Sequence, residues 1–253
     1  MNICRTIPTR RPRSEWLEIF VSIDPHHANA AQRLIWLRRP PRIIVGSEPF
    51  VAACEANLID EAWSELCQRN PKLSDGPVFH VVGVHRDGHG GATIHVARTT
   101  YRMNAVRLAG IQSGFVGLGT RAIAHWNGKC LVGLRAANCA SYPNQWEFAP
   151  AGSVEPDEDP AVGIERELLE ECGVQAKSRA IAHALFLDPV VATWEIAHEL
   201  AMIQPPDAPP NWEYQKLDMV SVADMPEPMS ACTRQMLEIA LRIVGNSATQ
   251  NMR

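Results

Sequence analysis

The sequence predicts a mixed α/β fold: a mixed sheet with helices packed on it, preceded by a small α+β module. Three observations predict it. Strand-like apolar runs alternate with two helix-periodic stretches in the C-terminal half. Asn127-Gly128 joins two such runs, the strongest short hairpin signal. A third helical stretch lies near the start, where Ile59, Ala62, Trp63, Leu66 and Cys67 follow the i, i+3, i+4, i+7, i+8 rule.

Taken in order, residues 1–40 read as a basic, loosely attached segment, with Arg5, Arg10, Arg11 and Arg13 at its head. Residues 41–110 read as the accessory module. Arg42 to Val45 is a short strand, the helix around Trp63 is ended by Asn70-Pro71, and strands Val78 to Val84 and Ala92 to Ala97 flank the turn Asp87 to Gly91. Residues 111–253 read as the main domain. Leu118 to Trp126 and Lys129 to Leu134 form the hairpin, and Trp146 to Phe148 a short strand. Ala180 to Leu187, Thr193 to Ile203 and Leu217 to Val222 are further strands, with a Pro-rich loop at 205–210. Ser230 caps a last helix whose Cys232, Met236, Ile239 and Ile243 share a face, with Gly245 expected to end it.

Composition fits a soluble globular protein. The chain has 253 residues, and 46% are hydrophobic, ample for a core. A net charge of −4 gives no reason to expect nucleic acid as a partner. No run of about 18 apolar residues occurs, so no membrane span is expected. The seven cysteines are odd in number and contain no C-x-x-C pair, which reads as reduced thiols in a cytoplasmic protein.

The chemistry is concentrated in one segment, Gly152 to Val174: GSVEPDEDPAVGIERELLEECGV. Asp159 caps a helix, Pro160 suits its first turn and Gly173 its C-terminal cap. Ala161, Ile164 and Leu168 form an apolar stripe. Glu167, Glu170 and Glu171 stand at i, i+3 and i+4, so they fall on one face as neighbours. Carboxylates that close repel one another unless protonated or neutralised. A hard divalent cation such as Mg²⁺ neutralises them best, since it takes oxygen ligands and keeps several waters. An ordinary charged surface helix would mix Lys among its acids, and this segment has none. Gly163 leaves room one turn before Glu167.

The segment resembles the signature of the Nudix hydrolases: Gly152, five residues, Glu158, seven residues, then Arg166-Glu167-Leu168-Leu169-Glu170-Glu171-Cys172-Gly173-Val174, with every fixed position filled. The resemblance implies an α/β/α sandwich over roughly residues 115–245. It implies Mg²⁺-dependent hydrolysis of a nucleoside diphosphate linked to another moiety, with Mn²⁺ able to substitute. It further implies Glu167, Glu170, Glu171, Glu158 and the Gly152 carbonyl as metal ligands. Glu170 is the first choice as general base, with Glu195 and Glu213 outside candidates, and Arg166 orients a glutamate. Many members are dimers, so a homodimer is possible.

Substrate-binding candidates are Arg135, Tyr142, Trp146 and Glu213, each a phosphate-, base- or sugar-contacting type on or near a loop. Trp212 and Tyr214 are further aromatics on expected loops, whereas Phe148 reads as core. His125, His183 and His198, on expected strands, read as packed. IDEAWSELCQRNPKLSDGPVFHV, followed by ARTTYR, is similar to the segment preceding the catalytic domain in Nudix proteins that hydrolyse UDP-glucose and UDP-galactose. A UDP-sugar is therefore the first substrate class. The Asn-Trp that follows the tyrosine in those proteins is replaced here by Met103-Asn104-Ala105. Pro189, sixteen residues after Gly173, instead resembles ADP-ribose hydrolases of the superfamily. From another class comes a nucleotide sensor without turnover; such domains usually lose box glutamates, and this chain keeps them.

Overall fold

The computed structural model describes residues 34–188, 190–206 and 212–250. The basic segment through residue 33, Pro189 and residues 207–211 of the Pro-rich loop lie outside the described residues.

The strands in chain order are β1 (Ile35–Trp36), β2 (Arg42–Val45), β3 (Pro77–Arg86), β4 (Ala92–Thr100), β5 (Gly117–Trp126), β6 (Lys129–Arg135), β7 (Trp146–Phe148), β8 (Ala151–Ser153), β9 (Ile181–Asp188), β10 (Thr193–Ala201) and β11 (Tyr214–Val220). The helices are α1 (Ala56–Arg69), α2 (Tyr101–Leu108), α3 (Pro160–Cys172) and α4 (Ala231–Gln250), with a 3-10 turn at Val222–Asp224.

One mixed sheet runs β1-β9-β10-β5-β3-β4-β2, and β6, β7, β8 and β11 attach through β5 and β6. Strand β5 organises it. Along one edge it pairs in parallel with β10 from Gly117↔Thr193 to His125↔Ala201. Along the other it changes partner: β3 at His80↔Gly117, then β8 at Gly119 to Arg121, then β6 at the hairpin. At the hairpin tip Asn127 and Gly128 both take positive φ, 48° and 77°, as a type I′ turn requires.

Successive residues of a strand face opposite sides of a sheet, and β5 uses this to seat two helices. Ala122 and Ala124 pack with Ile164, Leu168 and Cys172 of α3. Ile123, between them, packs with Cys232, Met236 and Ile239 of α4. Helices on both faces make the α/β/α sandwich. The strands of residues 41–110 extend the same sheet, joined also by the Val81 amide donating to the Val116 carbonyl at 2.8 Å. Their outer helices cover a separate cluster of Ile59, Val78, Met103, Val106 and Phe115.

Several expectations are corrected. Residues 34–40 are not a loose tail: Ile35 and Leu37 are buried and β1 pairs with β9, because the apolar Leu34-Ile-Trp-Leu run has a sheet edge to cover. Strand β11 begins at Tyr214, earlier than Leu217, so Tyr214 is a buried strand residue and not a loop aromatic. Helix α4 passes Gly245 and continues to Gln250. Helix α2 and strand β8 had no periodicity long enough to announce them.

Candidate active site

Helix α3 is fixed at both ends and along one face. Asp159 accepts from the Ala161 amide at 2.8 Å, Pro160 fills the first turn, and Gly173 closes the helix at φ 70°. Ile164 and Leu168 are fully buried. That sets the helical phase, and the phase sets where each acid points.

Arg166 is the hub of the acids. Its guanidinium donates to both oxygens of Glu158, Nε to Oε1 at 3.2 Å and Nη2 to Oε2 at 3.1 Å. Nη1 donates to Glu167 Oε1 and Glu170 Oε2, both at 3.0 Å. A planar fork with several donors can hold carboxylates from a loop and two helical turns at once. The network, led by the Glu158 hydrogen bonds, holds Arg166 firmly charged. Two glycines admit it. A Cβ on Gly152 would meet Glu167 Oε1 at 2.5 Å, and one on Gly163 would meet Glu158 Oε2 at 2.9 Å.

The three helix acids differ in surroundings. Glu170 is exposed. Glu167 is half-buried; burial chiefly, with the Glu170 and Glu213 charges, pushes its carboxyl up to about 7 despite Arg166. Glu171 turns inward and is buried, its Oε2 accepting from the Ala151 amide at 3.3 Å. Burial, then Glu213 and Glu167, raises its carboxyl well above the usual range.

Beneath Glu171 lies a charged network, of which the sequence singled out Arg135 and Glu213 but not Arg121 and Glu147. Glu147 is buried, accepts from Arg121 Nη1 at 2.9 Å and pairs with Arg135 Nη1 at 3.3 Å. Arg135 also donates to Glu213 at 2.9 Å, and its guanidinium lies 5.7 Å from the Tyr214 ring centre. The Tyr214 hydroxyl reaches Glu147 Oε1 at 3.2 Å and Glu171 Oε2 at 3.4 Å. The available signals were Arg121 and Glu147, single charges inside apolar strand runs, which do not survive burial unpaired.

The remaining candidates separate. Arg135 and Glu213 are brought together and joined to the helix acids through Glu147 and Tyr214. Trp146 is partly buried under Lys216, whose Nζ lies 5.5 Å from the ring centre. Tyr142, expected to meet substrate, is instead packed in the core with its hydroxyl on both Asp188 oxygens, 2.7 and 2.8 Å. A buried phenol needs a partner, and the strand-end Asp188 supplies it. Glu195 is buried beside Arg121, 3.4 Å from its Nε, and is closed off from solvent. Trp212 is exposed. His198 is buried, and that burial holds its imidazole down at about 4.

The donor chemistry fits a hard divalent cation. Every candidate ligand is an oxygen, and burial raises the carboxyls of both Glu167 and Glu171, in Glu167 against the neighbouring Arg166. Among the described residues no group of three or more His, Cys, Asp or Glu side chains stands placed to hold a metal ion; the Arg166 fork binds Glu158, Glu167 and Glu170 instead.

A sandwich that presents such acids on a capped helix beside a glycine strand suits chemistry on a charged substrate with a hard cation. Residues 119–238 match the family model of the NUDIX domain, a stretch just short of half the chain. Among curated proteins none matches the sequence significantly. Similar solved structures include a MutT NUDIX hydrolase from Burkholderia pseudomallei (23% identity, 48% of this chain and 95% of that one, TM-score 0.41). A MutT protein from Methanosarcina mazei is similar at 23% identity over 50% of this chain and 94% of that one, TM-score 0.42. An ADP-ribose pyrophosphatase from Streptococcus suis is similar at 19% identity over 49% of this chain and 91% of that one, TM-score 0.37.

Proposed function

We propose that this chain is a Mg²⁺-dependent pyrophosphohydrolase that cuts the diphosphate of a nucleoside diphosphate linked to a sugar, with a UDP-sugar as substrate. The carrying observation is the close fit of Gly152, Glu167 and Arg166, which sets the acids of α3 against strand β8. Glu167, Glu170, Glu171, Glu158 and the Gly152 carbonyl would hold the cation. When bound, it supplies charge withdrawal from phosphate oxygens and a lowered pKa for an attacking water.

The chain's own residues do the rest. Arg166 orients Glu158, Glu167 and Glu170. Glu170, exposed beside Arg166, is the general base. Arg135 and Glu213, held together, meet the substrate with Trp146. The sugar nucleotide reading draws support from the N-terminal segment, whose two resembling pieces touch: Arg102 Nη1 donates to Asp60 at 2.8 Å, and its amide to Asp75 at 2.7 Å. The described cysteines are all free thiols, in keeping with a cytoplasmic setting.

The test is phosphate-coupled turnover of UDP-glucose, ADP-ribose, NADH and diadenosine polyphosphates, with Mg²⁺ and with chelator, for wild type and Glu170→Gln. Metal-dependent hydrolysis of UDP-glucose that is lost in the variant is expected. Preference for ADP-ribose would replace the substrate class. Nucleotide binding without turnover of any compound would move the reading to a sensor.

A further inference from the structure

We infer that Tyr214, outside the acidic segment, is a positioning residue for Glu171, acting with Glu147. The inference rests on the reading of the α3 acids as a cation site.

Tyr214 is the first residue of β11, paired with Arg135 of β6. Its ring is buried and lies flat against Gly133 of β6: a Cβ there would sit 2.5 Å from Tyr214 Cε1 and 3.0 Å from Cγ. Only a residue without a side chain at that register lets the ring approach. The backbone is pinned as well, since the Ala136 amide donates to the Glu213 carbonyl at 2.7 Å. The hydroxyl is thus delivered to one place, between Glu147 Oε1 at 3.2 Å and Glu171 Oε2 at 3.4 Å.

A phenol has one proton to donate. Glu147 does not need it, because Arg121 donates to its Oε2 at 2.9 Å and Arg135 lies 3.3 Å from its Oε1. Two guanidinium groups satisfy that carboxylate, which leaves the phenolic proton free to turn to Glu171. Glu171 then has Oε2 engaged twice, by the Ala151 amide at 3.3 Å and by Tyr214. With one oxygen held from two sides the carboxylate is restrained, and Oε1 is the oxygen neither contact engages. Partners that orient a ligand in this way commonly change metal affinity by about ten- to a hundredfold when removed.

The experiment is calorimetric titration of the full chain with Mn²⁺ alone, alongside thermal unfolding, for wild type, Tyr214→Phe and Gly133→Ala. Tyr214→Phe removes only the hydroxyl; Gly133→Ala keeps it and displaces the ring. The expected result is Mn²⁺ binding weakened about tenfold in Tyr214→Phe with Tm nearly unchanged, and weakened also in Gly133→Ala. A residue that merely fills the core would lower Tm and leave the Mn²⁺ affinity alone, and that result overturns the inference. Wild-type protein that binds no Mn²⁺ overturns the cation site itself and this inference with it, an outcome distinct from normal wild-type binding that Tyr214→Phe leaves unmoved.

Discussion

The Cα of Gly152 lies directly against the side chain of Glu167: a methyl there would sit 2.5 Å from Oε1, 2.7 Å from Cδ and 2.8 Å from Cγ. The colliding atoms belong to the end of a flexible side chain, so Gly152→Ala moves Glu167 and leaves the backbone. A displacement of about 1 Å at a reacting centre can cost on the order of a hundredfold in rate. The expected outcome is a folded protein, with Tm within a few degrees of wild type, and turnover reduced by that order. Intact turnover would show that the Glu167 position does not matter.

Arg166 lies within salt-bridge distance of Glu155, Glu158, Glu167 and Glu170. Arg166→Lys keeps the charge and loses the fork, so a single ammonium cannot span the loop and the helix. Turnover should fall by roughly ten- to a hundredfold. Stability should change by less than about 1 kcal/mol, because partly exposed pairs contribute little. Denaturant unfolding and steady-state kinetics on one preparation separate the two effects.

Glu199, on β10, accepts from two imidazoles: His125 Nε2 lies 3.2 Å from one oxygen and His183 Nε2 2.8 Å from the other. The hydrogen bonds from His125 and then His183 hold its carboxyl down at about 2. A depressed folded value adds stability above the unfolded carboxyl's pKa of about 4.3, and this is lost as pH falls through 2. Glu199→Gln should therefore cost about 1–2 kcal/mol at pH 7, discounted for partial exposure. The gap to wild type should close between about pH 4 and 2. Urea unfolding at a series of pH values reads it; a gap independent of pH would mean packing, not charge.

Asp159 caps α3 through one bond to the Ala161 amide. Asp159→Ala should cost about 1 kcal/mol of stability. The buried Ile164 and Leu168 still fix the helix phase, so Mn²⁺ affinity should not move. A parallel loss of Mn²⁺ binding would show that the cap, rather than the core contacts, holds the acids in place.

Local pattern carried much of this fold. The caps of α3, the Asn127-Gly128 turn, strand β2 and the buried face of α4 lie where their residues indicated, because each is decided by a few neighbours in sequence. The differences arise where a distant partner decides. Strand β8 is too short to read and exists because β5 offers an edge opposite Gly119 to Arg121. Tyr214 looked like a loop aromatic until β6 paired with it and Gly133 made room for its ring.

The acids divide the same way. The sequence by itself determined that Arg166, Glu167, Glu170 and Glu171 share a capped helix beside a glycine segment, since helical periodicity and capping are local properties. Only the tertiary structure decided that Glu171 turns inward while Glu170 stays exposed, that Gly152 abuts Glu167, and that Glu147, Arg121, Arg135 and Tyr214 form a charged floor under the site. Those residues are far apart along the chain. Desolvating a charge is so costly that folding must bring its partner to it, and no spacing in the sequence records which partner that is.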